Sequence, residues 1–128
     1  MVARPKLLAL GVIGILIAAG TLSAHHRWPV NRSEDVTVQG TVTAYTWSNP
    51  HVMIVLDVRA NDGSVEKWEV GGPSITRMAA NGWDRNTLKA GDVITATGYR
   101  FSDGSRILRL DKIVTSDGKE LLLYGSRR

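Results

Sequence analysis

The chain of 128 residues contains no cysteine, and that absence excludes more chemistry than any other feature of its composition. Without thiols there is no disulfide, no thiolate ligand and no thiol nucleophile, so a metal site must draw on His, Asp, Glu, Met or a chain terminus. Histidine is scarce too: the three are His25, His26 and His51. No Gly-x-Ser-x-Gly nucleophile motif appears. Neither a phosphate loop nor a dinucleotide fingerprint is present. Clustered basic residues are also missing. The net charge is +4, but Arg4 and Lys6 sit in a leader-like segment, and no short window forms the basic face that phosphate binding needs. Nucleic acid is therefore not an expected partner. Asp57, Glu66 and Glu69 alternate with other residues along strands, the usual pattern of solvated charges.

The longest apolar run stands at the start. Met1 to Lys6 carries two positive charges, Leu7 to Ala19 is apolar or glycine, and Gly20 to Ala24 is small and mixed. These are the three regions of a secretory signal, with cleavage expected after Ala24. An uncleaved anchor helix over residues 1–24 is the alternative, because Leu7 to Ala24 reaches the lower limit for crossing a bilayer. The first reading makes the protein periplasmic or secreted, the second anchors it to the inner membrane. An exported domain of about 100 residues without disulfides must rely on its apolar core.

Residues 25–35 are polar and read as an irregular lead-in, with Trp28 packing on the wall of the domain. From Val36, β-branched residues alternate with polar ones through Ala44, which predicts a half-buried strand with Val36, Val38, Val42 and Ala44 inside. Gly40 in its middle predicts a bulge or bend. Ser48-Asn49-Pro50 forces a turn. A second strand follows with Val52, Ile54, Leu56 and Val58 on its core face, leaving His51, Met53, Val55 and Asp57 on the other. Asn61-Asp62-Gly63 predicts a hairpin into a third strand, Val65 to Val70, with Trp68 and Val70 in the core. Pro73 suits the first position of a short helix whose stripe is Ile75, Met78 and Ala79, and Asn81-Gly82 ends it. Asp103-Gly104 and Asp117-Gly118 mark two further turns between strands. The fold expected is mainly β: a small OB-like barrel of five or six strands over residues 36–125, with one short helix between strands 3 and 4 and a basic tail at 126–128.

Several of these segments together resemble a known family. They are Ala24-His25-His26, Gly40-Thr41-Val42, Trp47-Ser-Asn-Pro-His51, Trp68-Glu-Val70, Gly82-Trp83 and Lys89-Ala-Gly-Asp92 leading to Gly98. The chain resembles the secreted bacterial proteins catalogued as domain of unknown function 6152. The resemblance implies an exported barrel-like domain and transfers no activity.

The residues themselves point to one candidate site. Cleavage after Ala24 would give His25 a free α-amine, which titrates at about 7.7–8.0 and yields its proton easily to a metal. That amine and the His25 imidazole can chelate one ion, and His51 or His26 completes a three-nitrogen set. Such a set favours Cu(II). It is similar to the histidine brace of copper oxygenases, a likeness of ligands rather than of family. Met53 shares the face of His51 and can add a soft ligand, while Glu69 or Asp57 can orient an imidazole. Tyr45, Trp47, Asn49 and Met53 form a candidate face for a ligand or partner. The function expected is an exported binding module, with copper(II) as the candidate cofactor. A metal-free envelope module docking a protein is the alternative, and a copper-dependent redox enzyme the second alternative.

Overall fold

The computed structural model describes residues 27–123. The leader, His25, His26 and the tail at 126–128 lie outside the described residues. Six strands and one short helix follow in the order β1 (Val30–Thr46), β2 (Met53–Arg59), β3 (Val65–Gly71), α1 (Ile75–Ala80), β4 (Val93–Phe101), β5 (Ile107–Thr115) and β6 (Glu120–Leu122). They form one sheet in the order β3-β2-β1-β4-β5-β6, and β3 pairs additionally with β5. That last contact is parallel and joins Glu69, Val70 and Gly71 to Ile107, Leu108 and Arg109; every other pairing is antiparallel.

The length of β1 lets it serve two partners. Asp35 to Thr41 pair with β4, and Thr41 to Thr46 pair with β2. The strand begins at Val30, six residues before the hydrophobic alternation does, because Val30 pairs with Phe101 and the Pro29 carbonyl accepts from Ser102 N. Residues within the expected irregular lead-in are thus sheet, with a register break between Val30 and Asp35.

Alternation sets the core. Val52, Ile54, Leu56 and Val58 are buried as expected, facing Val38, Val42, Trp68, Val70, Ile94, Leu108 and Leu110. The first strand departs from its pattern. Its bulge toward β2 falls between Val42 and Ala44, not at Gly40. One extra residue reverses the facing of all that follow. Ala44 is therefore exposed, and Tyr45 and Trp47 pack against the core rather than pointing outward.

Helix α1 fills the gap between β3 and β4. Ser74 is its N-cap, its hydroxyl accepting from Arg77 N, so Pro73 stands before the cap and not at the first helical position. Met78 is fully buried and Ile75 half-buried, whereas Ala79, expected in the stripe, is exposed. Asn81 caps the helix, and the following linker sends Trp83 and Leu88 into the core. The Asp-Gly turns behave alike: in the first, Gly63 takes φ 84°, Gly63 N donates to Ala60 O, and Asp62 Oδ1 accepts from Ser64 N. Among the described residues no helix is long and apolar enough to cross a membrane.

Candidate functional site

The loop from Trp47 to Val52 is tied to α1 and to the Gly72-Pro73 segment before it. Asn49 Oδ1 accepts from Ile75 N at 3.1 Å, satisfying an amide that the first turn of a helix leaves free. Val52 N donates to Pro73 O, and Gly72 N donates to Val52 O. The Asn49–Pro50 peptide is cis. His51 is held between these anchors, half-buried. Asn49, expected on a ligand face, instead holds the loop to the helix.

Trp28 reaches His51 from the start of the described chain. The two rings meet edge to face at 4.8 Å and 68°, and the indole also meets Phe101 at 5.7 Å and 80°. It is seated over Gly71, where an added Cβ would stand 2.4 Å from Trp28 Cη2 and 3.2 Å from Met53 Sδ. Gly71 thus leaves room for the indole, and Met53 lies beside it. The sheet brings His51, Met53 and Trp28 to one place; Tyr45 and Trp47, with ring centroids 6.2 Å apart, lie against the core instead. The Tyr45 hydroxyl donates to Asp84 O at 2.7 Å. Burial pushes its phenol up to about 12, with the Asp84 charge acting in the same direction and the Thr87 hydroxyl against it.

His51 Nδ1 is buried and has no hydrogen-bond partner among the described residues. Neither Asp57 nor Glu69 bonds it, so the expected orienting carboxylate is not found at that nitrogen. Among the described residues no three of His, Cys, Asp and Glu stand together as a metal site. His51 is the one expected ligand nitrogen donor that falls within them.

Two adjoining clefts open at this place and share Trp28, Pro50 and His51. One, of about 410 Å³, adds Arg27 and Pro29. The other, of about 390 Å³, reaches Pro73 and Ser74 before α1, Arg77 on α1 and Arg109 on β5. Among the described residues no carboxylate lines either. Sequence reasoning missed Arg77 and Arg109 and gave Trp28 only a packing role; nothing local marks the three as neighbours. A larger groove of about 560 Å³ crosses the outer face of β1, β4 and β5 between Asp35 and Asp111. It is the weaker candidate: Thr37 and Thr97 bond each other at 2.9 Å, and Lys112 pairs with Glu120 at 3.5 Å.

The family model described as "Family of unknown function (DUF6152)" matches residues 13–108. No curated protein matches the chain. Among solved structures, the fold is similar to that of Rim1, a mitochondrial single-stranded DNA binding protein from S. cerevisiae, at TM-score 0.50 and 8% identity, covering 65% of this chain and 93% of that one. A ZRD-deleted mutant of TiaS in complex with agmatine is similar at TM-score 0.48 and 19% identity, over 77% of this chain and 24% of that one. At such identities the likeness to Rim1 concerns the fold alone.

Proposed function

This chain belongs to the family of unknown function DUF6152, and we propose that it is an exported binding module: a small OB-like barrel, closed through the β3–β5 pairing, that takes a transition metal at its His51 end. Cu(II) is the ion, and His25, His26 and His51 are its ligands. The observation that carries this reading is the His51 imidazole under Trp28, with a buried Nδ1 that no group among the described residues bonds. A buried polar nitrogen without a partner costs about 1–3 kcal/mol. A metal ion on that nitrogen would remove the penalty.

Chain geometry supports the rest of the ligand set. His26 and His25 precede Trp28 by two and three residues. At full extension they lie within about 7–11 Å of its Cα. Trp28 is itself packed on His51, so the two histidines fall within reach of the third. A Cu(II) site needs nitrogen donors close together in a near-planar set, and no other part of the chain offers imidazole. The protein-docking alternative is less well supported, because Tyr45 and Trp47 of its face lie on the core side while Met53 lies beside Trp28.

The test is the intact mass of the protein exported by its own leader, before and after one equivalent of Cu(II). A mass beginning at His25 that retains one copper supports the reading, as does loss of retention in His51→Ala and in a chain with one extra residue before His25. A mass beginning elsewhere, or equal retention by both variants, refutes it.

A further inference from the structure

The cleft of about 390 Å³ beside α1 carries a second chemistry that stands without the metal reading. Its size falls in the range of small-molecule sites, about 300–1,000 Å³. Its walls divide by character. Trp28, Pro50 and Pro73 form an apolar side, and His51, Ser74, Arg77 and Arg109 complete a lining that among the described residues holds no carboxylate. Arg77 makes no ion pair among the described residues. The two arginines come from different elements. Arg77 stands on α1, whose start Asn49 and the Ser74 cap hold in place. Arg109 stands on β5 opposite Gly71, in the short parallel contact with β3.

The apolar wall is positioned by ring contacts. Trp28 is gripped edge-on by His51 and Phe101 and has the Gly71 backbone beneath it. Both ring contacts lie in the range of favourable aromatic geometry. A guanidinium presents its donors in a planar fork that matches a carboxylate. An aromatic wall next to two such forks suits a molecule with a flat apolar body and one anionic end. We infer that this cleft binds a small organic carboxylate, its anion held by Arg77 and Arg109 and its apolar part against Trp28.

Benzoate is the probe, titrated calorimetrically into the metal-free protein in EDTA while the indole N–H resonances are followed. The expected result is one benzoate per chain, a shift of the Trp28 indole, and no binding of benzyl alcohol, which has the ring without the charge. Arg77→Gln and Arg109→Gln should each weaken benzoate about tenfold or more, the worth of a charged hydrogen bond. Unchanged thermal unfolding would show that each variant folds. The chain extended before His25 should lose copper and keep benzoate, which separates failure of this site from failure of the metal site. Equal binding of benzyl alcohol, preference for phenylphosphonate, affinity unchanged in both arginine variants, or no binding at millimolar benzoate would each overturn the inference.

Discussion

Gly71→Ala sets the Trp28–His51 contact against the stability of the sheet, and the geometry decides which gives way. The new methyl would stand 2.4 Å from Trp28 Cη2 and 2.8 Å from Cζ3, where ordinary contact begins at 3.4 Å. One partner must therefore move by about 1 Å. The backbone at Gly71 is paired on both sides, to Met53 of β2 and Arg109 of β5. Trp28 is half-buried and precedes β1, so its ring can tilt outward. The indole should yield, leaving His51 without its cover. Overpacking costs about 1–3 kcal/mol, and a ring free to tilt puts this change near 1, or about 4–8 °C in Tm for a domain of this size. Gly98→Ala is the comparison. Its Cβ would stand 2.1 Å from Arg109 O, a backbone atom between β4 and β5 that has nowhere to go. That variant should lose about 3 kcal/mol or more. Thermal unfolding followed by near-ultraviolet circular dichroism reads both effects. Equal losses of Tm in the two variants, or an unaltered aromatic signal and copper retention in Gly71→Ala, would refute the seating of Trp28 on Gly71.

Asn49→Ala removes the acceptor from Ile75 N; it should cost about 1 kcal/mol, as the loss of a helix cap does, and an unchanged denaturant midpoint would contradict that role. Tyr45 has a folded pKa raised from 10.0 to about 12, so its contribution to stability is full below about pH 10 and fades as pH climbs toward 12. Tyr45→Phe should lose about 1 kcal/mol with the bond to Asp84 O and should delete the latest phase of the tyrosinate absorbance titration; persistence of that phase would assign it to another tyrosine. The Asp62 carboxyl is held below its usual 3.8 by the hydroxyl and then the amide of Ser64. Its stabilising effect is therefore present above that value and lost as pH falls through the lowered one. Asp62→Ala should flatten the acid side of a stability–pH curve, and identical slopes below about pH 4 would show that the turn carries no such linkage.

The fold was legible wherever period-two alternation ran unbroken. Val52, Ile54, Leu56 and Val58 sit on one face because no extra residue interrupts β2, and Asp62-Gly63 announces its turn because glycine takes a φ of 84° there. The bulge after Val42 was not legible. Thr41-Val42-Thr43-Ala44 reads as continuous alternation, and only pairing with β2 shows that Thr43 is the extra residue. That single step carried Tyr45 and Trp47 to the core side and divided the expected ligand face. Asn49-Pro50-His51 was visible as a motif, yet it contains two roles. Asn49 bonds a helix amide 26 positions later, while His51 has a nitrogen with no partner among the described residues.

The rest of the site depends on long-range pairing that no local pattern encodes. Trp28 meets His51 because β1 extends back to Val30 and pairs there with Phe101, which sets the indole between the two rings. Arg109 joins them because β5 runs beside β3 as far as Gly71, the residue beneath that indole. Arg77 follows from the loop between β3 and β4, which places α1 against Asn49. The β3–β5 contact thus brings Arg109 beside the Trp28–His51 pair and also joins the two ends of the sheet path from β3 through β1 to β5. A substitution that weakened it would be expected to lower stability and carboxylate affinity together. Arg77→Gln lies on an exposed helix position outside that contact and should lower affinity alone.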